Sequence, residues 1–213
     1  MHTDDLINSL KADAARRAMP LDRALWIAAA GATVIAAAVF SLLLGPRPDL
    51  AAAAETLRFL FKFVVTFLLA ATGFYLLRAL SRPGLERPRA AVWLMAAAPL
   101  AAATDVVAEL VTVSPDQWAR VWWGSNITIC LTSIPAIGLG PLLILLLALR
   151  HGAPTRPRLA GVTAGLVSGG LAALFYAAHC TDDSPLFVAT WYSLGIAGLA
   201  CLGGVLGRVG LRW

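Results

Sequence analysis

Long apolar runs separated by short polar breaks dominate this chain. The runs are too long for strands, and they are apolar all round rather than along one stripe. Six of them span Arg23–Leu44, Phe59–Leu80, Ala90–Val111, Asn126–Leu149, Leu159–His179 and Phe187–Arg208. A hydrocarbon core of about 30 Å is crossed by about 20 apolar residues in a helix, and each run meets that length. The pattern therefore predicts an all-α integral membrane protein: a six-transmembrane-helix bundle, with a short cytoplasmic N-terminal amphipathic helix before it. Residues 1–22 form the segment outside the membrane and residues 23–213 the transmembrane domain. The first run is too long for a signal-peptide core, and no small-residue cleavage site follows it, so it is read as a retained helix.

Composition agrees with the pattern. A chain of 213 residues that is 59% hydrophobic and 14% charged lacks the polar surface to cover a soluble globule. The arginines add direction. The tail carries Lys11, Arg16, Arg17 and Arg23. The second loop carries Arg78, Arg82, Arg87 and Arg89, the fourth Arg150, Arg156 and Arg158, and the C-terminal end Arg208 and Arg212. The loops between them hold Arg47 and Arg58, then Arg120, then no base. Lys and Arg mark the cytoplasmic side, so both termini are expected in the cytoplasm. The net charge of +5 then anchors helix ends at lipid and is no sign of direct nucleic-acid binding. Trp26, Trp93 and Trp213 fall near the expected inner interface. Trp118, Trp122, Trp123, Trp191 and Tyr192 fall near the outer one, as an aromatic belt would.

The tail has its own pattern. Thr3 suits an N-cap, and Asp4 and Asp5 suit a first helical turn. Leu6, Ile7, Leu10 and Ala14 follow at helical spacing, Asp13 lies beside them, and Pro20 ends the run. So short a helix is marginal in water until something covers its stripe. Either the membrane surface or a groove on a protein partner would do so, and the acid on its polar face argues against anionic lipid.

Within the membrane, Arg58 with Lys62 and Asp105 with Glu109 are each spaced to share one helix face. Both pairs fall at the outer ends of neighbouring helices. An interhelical ion cluster facing the bundle interior is expected, because unpaired intramembrane charge is costly. Of the three cysteines, Cys130 and Cys180 fall on the outer side, and Cys201 is expected to be buried in the inner half of the last helix. No pair forms the C-x-x-C of a thiol oxidoreductase. Cys130 and Cys180 suit either a disulfide or a soft-metal site with His179 as a further ligand. Gly161, Gly165 and Gly169 make a small-xxx-small stripe, and Gly195, Gly198, Gly203, Gly204 and Gly207 enrich the last helix. Pro135, Pro141, Gly138 and Gly140 suggest a bend in the fourth helix. No hydrolase triad, zinc-protease His pair or phosphate loop is present. No catalytic residue, permanent cofactor or small-molecule substrate is therefore expected. A small transporter or channel, with the charged cluster at the outer ends of helices 2 and 3, is the competing class; it lacks an internal repeat and a polar midplane site.

Four segments stand out: Thr3-Asp4-Asp5-Leu6-Ile7-Asn8-Ser9-Leu10-Lys11-Ala12-Asp13, Cys130 followed by Ile134-Pro135, Arg150-His151-Gly152-Ala153-Pro154-Thr155, and, the most specific, His179-Cys180-Thr181-Asp182-Asp183-Ser184-Pro185-Leu186-Phe187, with Trp191-Tyr192 after it. Together they resemble the NrsF family, the negative regulators of sigma F. The resemblance implies an integral anti-sigma factor of the bacterial inner membrane. Such a protein holds an extracytoplasmic-function sigma factor and releases it under heavy-metal or oxidative stress. It further implies that Cys130 and Cys180 are the sensing cysteines, and that Leu6, Ile7 and Leu10, with Asp4, Asp5 and Asp13, form the sigma-binding tail.

Overall fold

The computed structural model of the chain describes residues 3–5, 7, 19–81, 89–152 and 154–211. Within these residues it is helical, without strands. Six helices are long and apolar enough to cross a membrane: α1 Leu21–Leu43, α2 Leu57–Leu80, α3 Ala90–Thr112, α4 Ile127–Leu149, α5 Pro157–Ala177 and α6 Pro185–Gly210. They match the six apolar runs to within a few residues, because length and hydropathy alone set where such helices begin and end. Thr3, Asp4, Asp5 and Ile7 are helical and exposed. Leu6, Leu10 and Asp13 lie outside the described residues.

The helices sort by side-chain size. α5 is 67% buried over its apolar window and α3 only 11%, so α5 is the central post and α3 a peripheral one. The buried positions of α5 are mostly small, among them Ala160, Gly161, Ala164, Gly165 and Gly169. The large apolar side chains point outward instead, including Leu42, Phe67, Val111 and Val205. A soluble bundle does the reverse. Lipid tails are as apolar as Leu, so membrane-type helices associate by close backbone approach.

The glycine stripe makes that approach possible. A Cβ on Gly161 would strike the Gly203 carbonyl, and one on Gly165 would lie 2.5 Å from the Ala200 Cα. α5 and α6 therefore meet backbone to backbone. Gly170 gives Ala70 of α2 the same access, at 2.9 Å from its nitrogen. α4 runs as a helix through both Pro135 and Pro141. Gly138 and Gly140 admit neighbouring side chains: Leu199 of α6 and, at 2.6 Å, Ile35 of α1.

α6 starts irregularly. Ser184 caps it by accepting from the Phe187 N–H, Pro185 follows, and Val188–Tyr192 widens into a π-turn. Such a bulge rotates the side chains after it. Tyr192 is consequently only 1% exposed. That corrects its assignment to an aromatic belt: it is a core residue. Trp122, Trp123 and Trp191 do stack on one another at the same end, with centroids 5.3 to 5.8 Å apart. Cys201, expected to be buried, is exposed on the outside of α6.

Candidate functional site

The polar chemistry concentrates at one end of the bundle, where the α1–α2, α3–α4 and α5–α6 loops meet. The α5–α6 segment, residues 178–186, is the hub. His179 Nδ1 lies 2.9 Å from the Gly45 carbonyl, and the Arg47 N–H donates to the Ala178 carbonyl at 3.0 Å. These bonds lay the α1–α2 loop along the segment.

Two cations then converge on it. Lys62 Nζ donates to the Cys180 carbonyl at 2.8 Å and to Asp183 Oδ1 at 2.6 Å. Arg47 Nη1 donates to the same carbonyl at 3.3 Å and to Asp183 Oδ2 at 3.0 Å. The rest of the guanidinium holds Asp49, through Nε and Nη2, both at 2.7 Å. The two cations face one buried ring, Phe59, at 4.8 Å for Lys62 and 5.8 Å for Arg47. The guanidinium holds the Asp49 carboxyl below its ordinary range, and the two aspartates raise Arg47 above its own.

The neighbouring Asp182 turns the other way. It accepts from the Ser125 and Asn126 N–H groups at 3.0 and 2.9 Å, and from the Asn126 side chain at 2.9 Å. A carboxylate there satisfies donors at the start of α4 and opposes the positive end of its dipole. Gly124 makes the approach possible: its φ of +58° suits glycine, and a Cβ would lie 2.5 Å from the Phe187 ring and 2.9 Å from the Asp182 carboxyl.

Glu109 completes the cap from α3. Its Oε2 accepts from Ser184 Oγ at 2.8 Å and from the Leu186 N–H at 2.9 Å, while Oε1 faces Arg58 Nη1 at 3.5 Å. The four charges read from the sequence as one cluster are thus divided. Arg58 meets Glu109. Lys62, however, pairs with Asp183 and not with a carboxylate of α3. Asp105 forms no hydrogen bond or ion pair among the described residues; it lines a water-sized crevice with Arg58, Lys62 and Asp183. Asp183 was the missing partner. The Asp182-Asp183 pair was visible in the chain, but nothing in its spacing to Lys62 reveals the contact.

Beneath this cap lie the thiols. Cys130 is one turn beyond Asn126 on α4, and Asn126 is bonded to Thr181 and Asp182. Cys130 and Cys180 therefore join one buried layer with Tyr176 and Tyr192, each at most 1% exposed. The tyrosine rings are 5.4 Å apart, and both hydroxyls are buried beside the Cys180 thiol. Both thiols are free. Burial pushes the Cys180 thiol above its usual range, against the pull of the Lys62 charge.

The sequence offers Cys130, Cys180 and His179 as a metal set. His179 meets the Gly45 carbonyl through Nδ1, a contact that does not occupy Nε2. Among the described residues no group of three or more His, Cys, Asp or Glu could hold a metal ion. Cys130 and Cys180 stand there as two buried free thiols.

Among the described residues these features define a bundle of six helices long and apolar enough to cross a membrane, with most of its polar side-chain contacts gathered in one cap. The chain belongs to the NrsF family, the negative regulators of sigma F, whose family model matches residues 10–213. A protein of Caulobacter vibrioides named anti-sigma-F factor NrsF is 39% identical over 216 residues, covering 100% of both chains. A protein of Azospira oryzae named probable anti-sigma-F factor NrsF is 33% identical over 226 residues, again covering 100% of both. No solved structure matches the chain. The family is regulatory, and membership does not favour the transporter reading.

Proposed function

We propose that this chain is an anti-sigma factor of the bacterial inner membrane, with both termini in the cytoplasm. Residues 1–22 hold an extracytoplasmic-function sigma factor, and residues 23–213 form the transmembrane sensor. The observation that carries this reading is full-length similarity to two proteins named as anti-sigma-F factors. Two features support it. Ile7 is 43% exposed, as a docking stripe awaiting its partner would be. The alternating arginines put that stripe in the cytoplasm and the cap in the periplasm. The partners are a sigma factor and the bilayer, with no direct nucleic-acid contact.

The stimulus is a soft metal ion or an oxidant that engages both Cys130 and Cys180. Engagement displaces the buried Cys180 segment relative to the start of α4. A ligand shifts a conformational equilibrium only by its differential affinity, so the engaged state is the one that holds the tail poorly.

Fractionation of cells before and after a thiophilic metal challenge tests both halves. Cys130→Ser with Cys180→Ser should keep the sigma factor at the membrane and fail to release it, while Cys201→Ser responds normally. Leu6→Asp with Leu10→Asp should lose the partner without stress, because each buried leucine contributes about 2 kcal/mol and a buried unpaired charge costs more. Normal release by the double serine variant would remove the thiols from the mechanism. Wild-type retention by the aspartate variant would remove the tail.

A further inference from the structure

Lys62 is 2% exposed near the cap end of α2, one turn beyond Arg58. A buried ammonium is retained only where partners compensate its desolvation. Its partners are the carbonyl of Cys180 itself and the carboxylate three residues on. Arg47, from a different element, takes the same carbonyl and the same carboxylate. Two cations on two separate elements thus grip the backbone of one cysteine. Hydrogen bonds weaken steeply with distance and angle, so this grip does not survive a substantial shift of residue 180.

Arg47 sits in the loop that joins α1 to α2, Lys62 sits on α2, and the two helices are joined again at the far end. Asp22, at the start of α1, receives Arg78 of α2 through Nε at 2.9 Å and Nη2 at 2.8 Å. α1 and α2 are therefore tied at both ends, and α1 begins where the N-terminal tail stops. Networks of this kind carry coupling between distant sites when they have two arrangements.

We propose that Arg47 and Lys62 are positioning residues: they hold the Cys180 segment in the arrangement that retains the sigma factor, and they pass its displacement along α1 and α2 to the tail. The inference rests on the anti-sigma reading above and adds the route by which the cap reaches the tail. Loss of either cation leaves the segment partly released without any thiol chemistry.

The test is epistasis, read as unstressed activity of a sigma-dependent reporter with membrane levels of the protein measured alongside. In a Cys130→Ser, Cys180→Ser background, Lys62→Met and Arg47→Gln should each raise unstressed activity about fivefold or more, the lower end of typical allosteric couplings. Arg47→Lys, which keeps the charge, should stay near the parent. If Lys62→Met does not accumulate, the Arg47 pair decides. Parental activity in Arg47→Gln would overturn the proposal, as would equal activation by Arg47→Lys. So would activation only where the cysteines are present. Failure of the anti-sigma reading is separately visible: no sigma factor would then be retained at the membrane by the wild type.

Discussion

Single side chains in the cap serve as acceptors for backbone that no helix satisfies. Glu109 is the clearest case. Its Oε2 is the acceptor for both Ser184 Oγ and the Leu186 N–H, at the point where α6 starts and its first donors have no intrahelical partner. The Arg58 guanidinium that faces it is half exposed, so the charge pair adds little beside those bonds. Glu109→Ala should therefore lower stability by about 1–3 kcal/mol, the cost of leaving a buried donor unmet. Glu109→Gln, which keeps an acceptor oxygen, should cost less. Thermal unfolding of the purified protein in detergent measures both, and equal melting of Ala, Gln and wild type would show that the α6 start does not depend on this carboxylate. The sequence marked Glu109 as an intramembrane acid. It did not reveal the donors, because they lie in a loop 75 residues away in the chain.

At the scale of elements, the α5–α6 seam is held by what its residues lack. Gly165 faces the Leu199 carbonyl and the Ala200 backbone, neither of which can move aside as a flexible side chain can. Gly198, on the same helix as that backbone, has nothing within 4 Å of where its Cβ would be. Gly165→Ala should force the helices apart and cost about 1–3 kcal/mol or more, as overpacking does. Gly198→Ala should be close to neutral. Unfolding of the two variants side by side checks the contrast, and equal behaviour would refute backbone contact at the seam. The small-xxx-small stripe on α5 was legible in advance because period and residue type suffice to find it. Which glycines of α6 meet it was not: six candidates within 16 residues of one helix offer several faces, and the π-turn at Val188–Tyr192 resets which face points inward. The same turn moved Tyr192 from an expected lipid interface into the thiol layer.

For the molecule as a whole, orientation is the claim on which the assignment of sensor and tail to opposite sides depends. The base-rich loops predict that a reporter fused after Arg87 or Arg156 reads cytoplasmic, and that one fused after Asp116 or Asp183 reads periplasmic. The reverse pattern would put the cap inside and the tail outside, and with it end the anti-sigma reading. The sequence alone determined the number of helices, their limits and the expected facing, because these follow from apolar length and from loop charge, both of which are summed along the chain. It also determined the family, since the Cys180 segment and its flanks are contiguous. Only the tertiary structure decided what the charged groups do. Lys62 and Asp183, Arg47 and the Cys180 carbonyl, and Asp182 and the α4 start are contacts between residues that are more than 50 apart in the chain. Periodicity within one helix carries no information about such pairs. They depend on how far each helix is rotated about its axis when glycine seams close, and that rotation is set by packing against the other helices together.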